Sequence, residues 1–586
     1  MQNQTITVRA AAPKLRVADV AYNKERLVES IERAKKEGVG VLAFPRLSLC
    51  GCTCGDLFFQ PTLLAACENA LEELKQATRG GDTLVIVGLP VQRAGKLYDA
   101  AALLKGGEML GLFENDAPSP SESRYFSTGE RKASVCVDRL TVAVEFYAVS
   151  ERTDAELLIC LPNEWELVRG AKKRREAAKK LSYEAPCAAV VLTPSFGESS
   201  TDGVYSGHCV AALLGETVAE AAPFGAGEMA AEISLSTLKN ERRKKLIRKY
   251  TQTQEGENVR APFLPTEKER VEYCETAMEI QAQGLARRLG AIGAKTAVLG
   301  VSGGLDSTLA LLVTVRAFEI LGKDKKEIVA ITMPGFGTTG KTYRNAVKLI
   351  ERLGATLREI PIADSVRVHF QAIGHDGKTT DAAYENAQAR TRTLILMDVA
   401  NMENGIVVGT GDLSELALGW CTYNGDHMSM YSVNASIPKT LVKYLVAYAA
   451  QKSSGELKEA LLSVVGTEVS PELLPPDESG NIAQKTEDIV GPYELHDFYL
   501  YHAILHRRSP EEVYARARSA FNGDYADETL LKWLKNFYRR FFTQQFKRSC
   551  SPDGVQVTAL SFSPRGGLTM PSDACATLWL KEVEKL

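Results

Sequence analysis

The chain has 586 residues, of which 45% are apolar and 24% charged, and its formal net charge is −3. A large basic field for nucleic acid is not indicated, no apolar run reaches the ~18 residues of a membrane span, and the N-terminus carries no long apolar signal segment. At ~150 residues per domain the length suits about four units or two large ones. The 12 cysteines are scattered, and Cys50, Cys52 and Cys54 lack metal-ligand spacing, so free thiols in a reducing cytoplasm are expected.

Apolar runs predict strands over 5–8, 39–44, 83–91, 100–104, 141–146, 156–161, 188–193 and 208–213. Helical periodicity falls at 23–38, 60–79 and 168–182. Many strands with helices between them predict a layered α/β sandwich over residues 1–240. Residues 239–256 turn polar and basic, and 241–261 reads as a linker. From 262 to 586 strands (296–301, 328–333, 356–360, 405–409) alternate with helices (267–289, 307–321, 342–353, 382–402), which predicts a doubly wound parallel sheet. Residues 474–485 read as a surface loop or lid.

The densest chemical signal is LGVSGGLDSTLALLV, residues 299–313. An apolar strand ends at Val301, and Ser302-Gly303-Gly304-Leu305-Asp306-Ser307 turns into a helix. Glycines let a phosphate approach the backbone, and the free N–H groups at the helix start attract an anion. Asp306 would repel phosphate unless a cation such as Mg²⁺ stood between them. The loop lacks the GxxxxGK[ST] pattern of enzymes that cleave the β–γ bond. The second block, 405–431, has a strand ending in Gly409-Thr410-Gly411-Asp412. In such sheets this loop faces the first. Thr410 could reach ATP. Glu415 and Asp306 are candidates for metal or ribose, whereas Asp412 and Glu415 also suit a plain helix N-terminus.

SGGxDS resembles the pyrophosphate loop of the N-type ATP pyrophosphatases. SGGLDST, MPGFGTTGKT, YENAQARTR, GTGDLSELALGW, FKRS and SPRG, in this order, resemble the synthetase domain of two-domain glutamine-dependent NAD synthetases. The resemblance implies an ATP-pyrophosphatase-type fold and amidation of deamido-NAD through an acyl-adenylate. It assigns Gly300, Val301, Ser302, Gly303, Gly304, Leu305, Asp306, Ser307 and Thr410 to ATP, and Asn386, Arg390, Glu415, Trp420, Cys421, Thr422, Tyr423 and Lys547 to deamido-NAD. Asp306 and Glu415 would hold Mg²⁺ and, with Lys439, form the catalytic set. Arg390, Arg392, Lys439 and Lys547 would supply positive charge to phosphates. Trp420 and Tyr423 offer faces for the nicotinate ring, with core packing as their plainer use. Gly567-Leu568-Thr569 stands where the family has Asp-Trp-Arg, close to the expected lid.

Residues 1–240 resemble the family's nitrilase-like glutaminase domain, an α-β-β-α sandwich. FPRLSLCGCTCGDLFF, at residues 44–59, carries that likeness. The family's Glu, Lys and Cys are read as replaced by Arg46, Glu114 and Tyr147. Arg46 and Glu114 are expected to pair. A phenol of pKa near ~10 does not substitute for a thiolate, so ammonia rather than glutamine is the expected nitrogen source. Free ammonia or an external ammonia donor would supply it. Alternatives are a glutamine-dependent enzyme with a relocated nucleophile at Cys160 or Cys187, an enzyme of the same fold acting on another carboxylate, and a non-catalytic scaffold that binds NAD precursors. The resemblance further implies a homo-oligomer.

Overall fold

The computed structural model describes residues 5–138, 140–147, 154–244, 249–250, 259–338, 340–467, 473–474 and 486–586. Most of the loop read at 474–485, and parts of the linker read at 241–261, lie outside the described residues. The chain forms two compact units, Met1–Ser199 with Val204–Gln254, and Ser200–Gly203 with Glu255–Leu586. No helix among the described residues is long and apolar enough to cross a membrane.

The first unit holds two six-stranded sheets. In spatial order one runs Glu228–Ser234, Thr5–Ala11, Val41–Ala43, Leu84–Arg93, Lys96–Lys105 and Glu108–Glu114. The other runs Glu216–Ala221, Cys209–Leu213, Ala188–Leu192, Leu157–Cys160, Leu140–Glu145 and Val135–Val137. Strand periodicity sorts the side chains into layers. Val41, Ala43, Leu84 and Ile86 face the second sheet, in a core with Val142, Val144, Val190 and Val210. Leu42, Phe44, Val85 and Val87 point the other way, onto helices Val20–Lys36 and Pro61–Ala77 through Leu27, Ile31, Cys67 and Leu74. Helix Gly170–Glu184 packs through Ala178 and Leu181 on strands Cys209–Leu213 and Ala188–Leu192 of the second sheet. The result is the α-β-β-α order expected from the sequence.

The second unit is built on a fully parallel sheet ordered Thr356–Glu359, Ile328–Thr332, Thr296–Gly300, Gly405–Gly409 and Tyr431–Ser432. Val298, Val329, Ile331 and Val407 meet helices Ala363–Ile373 and Ala382–Met402 on one face. The strand order reverses between Thr296–Gly300 and Gly405–Gly409, the place where such sheets bind ligands. A helical layer, Tyr493–Tyr499, Pro510–Ala520, Asp527–Thr543 and Thr577–Val583, packs on helix Leu413–Leu418 through Phe498, Phe521, Leu534, Phe537 and Phe541. Leu568 packs against this layer. A Cβ at Gly567 would lie 2.5 Å from Ser561 O, so Gly567 sits at a tight turn rather than in a free arm.

Candidate active site

Residues 301–307 leave the sheet at its switch point. Gly303 has φ +83°, and a Cβ there would sit 2.1 Å from Thr342 O, so only glycine fits. Gly304 caps helix Leu305–Leu321 with no side-chain acceptor, which leaves the first N–H groups for a ligand. Ser302 Oγ lies 3.2 Å from Ser307 Oγ and accepts from Gly304 N at 3.2 Å, which sets the turn.

The second loop is tied to the first. Asn434, fully buried, donates from Nδ2 to Asp306 O (3.0 Å) and to Thr410 O (2.9 Å). Its own Oδ1 accepts from Gln281 Nε2 at 3.0 Å. Asp412 accepts from Glu415 N at 2.8 Å, so it is a helix cap, as the plainer reading allowed. The same carboxylate also meets the Lys439 ammonium at 2.7 Å, and that ammonium lies 2.8 Å from both Asp306 Oδ2 and Glu415 Oε1.

This cluster sets the electrostatics. Burial works to lower the Lys439 pKa, but Asp306, Asp412 and Glu415 outweigh it and hold the ammonium charged. Burial raises the Glu415 carboxyl to about 7, against the pull of Lys439. When all are ionised, three carboxylates outnumber the single ammonium around which they gather, and Asp306 Oδ1 is buried without a hydrogen-bond partner. A hard divalent cation suits such oxygen donors, so the residues present fit Mg²⁺ held by Asp306 and Glu415. Asp412, whose oxygens serve the helix cap and Lys439, completes the acidic group and was not foreseen in it.

One cavity is lined by every residue assigned to ATP except Gly303: Gly300, Val301, Ser302, Gly304, Leu305, Asp306, Ser307 and Thr410. Glu415, Trp420, Cys421 and Arg392 line it too. Asn386, Arg390, Thr422, Tyr423, Lys439 and Lys547 are not among its lining residues. Several of them brace the Trp420 segment. Thr422 Oγ1 donates to Asn386 Oδ1 at 2.8 Å, and Arg390 Nε donates to Tyr423 O at 3.2 Å. Lys547 Nζ donates to Gly419 O (2.7 Å) and Cys421 O (2.6 Å), so its charge is spent on backbone carbonyls. The Trp420 ring lies beneath the Arg540 guanidinium at 5.3 Å. Tyr423 is 43% exposed and stacks on His427, which removes core packing as its use.

Asp426 and Asn434 are site residues that sequence reasoning missed. Asp426 lines the cavity and accepts from Thr422 N at 2.7 Å. It stood in the block read as the second loop. Asn434 carried no motif.

The first unit corrects the expected pairing. Arg46, 1% exposed, is ion-paired with Asp99 and, at 2.8 Å, with Glu122, and its guanidinium lies 5.5 Å from the Phe146 ring. Glu114 pairs instead with Arg93 at 3.0 Å. Successive strand residues point to opposite faces, so it is the next residue, Asn115, that faces Tyr147 and accepts its hydroxyl at 3.0 Å. Glu122 accepts from Asn163 Nδ2 (2.9 Å), and Asn163 accepts from Tyr205 OH (2.9 Å). Burial raises Asp99 to about 6 against the pull of Arg46, whereas at Glu122 burial works upward but Arg46 together with the hydrogen bonds from Asn163 and Ser119 outweighs it and lowers the carboxyl. Cys160 and Cys187 are buried, and burial pushes the Cys187 thiol up to about 12 and that of Cys160 well above its usual value. Cys52, whose Sγ donates to Arg46 O at 3.4 Å, is raised by burial as well.

A two-domain chain of this kind, a carbon–nitrogen hydrolase unit followed by a nucleotide-dependent synthetase unit, matches two known families. Residues 5–243 match carbon-nitrogen hydrolase and 277–530 match NAD synthase. The glutamine-dependent NAD(+) synthetase of Mycobacterium tuberculosis is 31% identical, covering 100% of this chain and 98% of its own length. That of Aquifex aeolicus is 27% identical over 93% of this chain and 95% of its own. The crystal structure of a glutamine-dependent NAD(+) synthetase from Cytophaga hutchinsonii superposes with a TM-score of 0.80, at 19% identity, covering 99% of this chain and all of that one. The chain belongs to the glutamine-dependent NAD(+) synthetase family.

Proposed function

We propose that the second unit amidates deamido-NAD to NAD, consuming ATP and releasing AMP and pyrophosphate. The observation that carries this reading is the Lys439 ammonium, held within 2.8 Å of Asp306, Asp412 and Glu415 where the two loops of the switch point meet. The N–H groups at the start of helix Leu305–Leu321, with Ser302 and Ser307, bind the ATP phosphates. Trp420 offers its face to the nicotinate ring, and Asn386, Arg390, Thr422, Tyr423 and Lys547 fix the walls that hold deamido-NAD. The nicotinate carboxylate attacks the α-phosphate, pyrophosphate leaves, and ammonia displaces AMP from the acyl-adenylate. Asp306 and Glu415 would hold Mg²⁺, which when bound would supply charge neutralisation to the phosphates. Lys439 fixes the orientation of those carboxylates and offsets part of their charge.

The nitrogen source is ammonia. Arg46, Asn115 and Tyr147 offer no thiolate, no ammonium and no general base, and Arg46 is sealed between Asp99 and Glu122. The first unit then serves as a structural or assembly module, consistent with a homo-oligomer. A second reading, glutamine dependence through another nucleophile, is favoured by the names of the relatives. The raised thiols of Cys52, Cys160 and Cys187, the last two buried, oppose it.

ATP–pyrophosphate exchange tests the reaction class. Exchange that requires deamido-NAD is the expected result. Exchange with another carboxylate alone would give an altered substrate, and ATP binding without exchange would give a scaffold.

A further inference from the structure

Helix Lys439–Lys452 starts without a cap of its own. Pro438 stands at the N-cap and has no side-chain acceptor, yet the N–H groups of the first turn need partners in a buried place. They are met from two other elements. Lys439 N donates to Ser414 Oγ at 2.9 Å, and Thr440 N donates to Asp497 Oδ2 at 2.9 Å. Thr440 Oγ1 donates to the same Asp497 oxygen at 2.6 Å. Ser414 Oγ, having accepted from Lys439, donates its own proton to Asp497 Oδ1. Ser414 and Asp497 are 1% and 2% exposed, and Asp497 is not among the residues lining the cavity.

A buried carboxylate is costly unless its oxygens are satisfied, and here both are. The elements it joins are informative. Ser414 lies on helix Leu413–Leu418, which carries Glu415 and is capped by Asp412, whereas Thr440 follows Lys439. One carboxylate from helix Tyr493–Tyr499 therefore ties the helix bearing the acidic residues to the helix bearing the cation. We propose that Asp497 is a positioning residue for the synthetase reaction: through Ser414 and Thr440 it sets where the Lys439 ammonium stands relative to Glu415 and Asp306. The inference rests on the reaction proposed above.

The test is steady-state NAD formation by the full chain with ammonium, ATP and deamido-NAD, together with thermal melting, for D497A, D497N and S414A. A misplacement of about 1 Å in a catalytic group costs on the order of 100-fold, so D497A should lower kcat by that order with KM for ATP changed less than about 3-fold. D497N should recover most of the rate, because its amide oxygen still accepts from Thr440 and its nitrogen can donate to Ser414 Oγ. S414A should lower kcat about 10-fold, and S414A with D497A should be no slower than D497A alone, since both cut one chain of bonds. Wild-type kcat in D497A overturns the inference, as does a loss carried entirely by KM for ATP, or losses that multiply in the double variant. If D497A does not fold, S414A decides, and an unchanged kcat overturns the inference. A wild-type chain that makes no NAD from any nitrogen source overturns the reaction reading itself, whereas an active wild type with unaffected variants overturns the Asp497 assignment alone.

Discussion

The Lys439 ammonium lies 2.8 Å from Glu415 Oε1, and the same nitrogen is as close to Asp306 and Asp412. Removing the cation leaves a group of buried like charges. K439M should lose about 3–5 kcal/mol of stability in the second unit, the usual cost of breaking a buried pair. Its kcat for NAD formation should fall by about 100-fold or more. Denaturant melts and steady-state rates measure both, and a variant with wild-type rate would remove Lys439 from the reaction.

Gly303 makes a second, sharper test of the phosphate loop. At φ +83°, with Thr342 O 2.1 Å from the position of a Cβ, G303A must shift the loop. Strain of this kind costs roughly 1–3 kcal/mol. ATP affinity by calorimetry should fall by about 10-fold or more, while the fold of the first unit is unaffected. Unchanged affinity would separate this loop from ATP.

Arg46 cannot be replaced by a carboxylate without cost. R46E would set a third acid beside Asp99 and Glu122 and should destabilise the first unit by about 3–5 kcal/mol. Y147C alone should confer no glutaminase activity, since Asn115 provides no ammonium and Arg46 no base. Glutamate release from glutamine by Y147C at a measurable rate would contradict this.

His208 gives the first unit an acid-sensitive joint. Its Nδ1 lies 3.0 Å from Arg174 Nε and its Nε2 3.0 Å from Glu220 Oε1, so the ring must accept from the guanidinium and donate to the carboxylate. Burial, then Arg174, lowers its pKa to about 4, while Glu220 works to raise it. The unfolded chain therefore takes up the proton first, near pH 6.5, and stability falls as pH drops from about 6.5 to 4, by roughly 3 kcal/mol at most. H208Q, which keeps an acceptor and a donor, should flatten the melting temperature of the first unit between pH 7 and 5. An equal slope in wild type and H208Q would assign the loss elsewhere.

Much of the architecture was legible because buried parallel strands read as continuous apolar runs. Thr296–Gly300, Ile328–Thr332 and Gly405–Gly409 all stand where those runs placed them. The edge strand Glu216–Ala221 was not, since it alternates half-exposed and exposed residues and offers little apolar signal. The helical layer past residue 490 did carry a signal: Leu530, Trp533, Leu534, Phe537 and Phe541 recur at helical spacing. At the candidate site, motifs drew attention to residues 302–307 and Glu415 but not to Asn434 or Asp497, whose contacts are long-range hydrogen bonds that no local pattern records. The expected Arg46–Glu114 pair is not formed, because in a strand one position turns a side chain to the opposite face: Glu114 meets Arg93, and the next residue, Asn115, meets Tyr147.

The most direct test of the account is NAD formation from deamido-NAD, ATP and Mg²⁺ with ammonium or glutamine as the sole nitrogen source. Product with ammonium and none with glutamine is the predicted result. Product with glutamine at a comparable rate would contradict the loss of glutaminase chemistry inferred from Arg46, Asn115 and Tyr147.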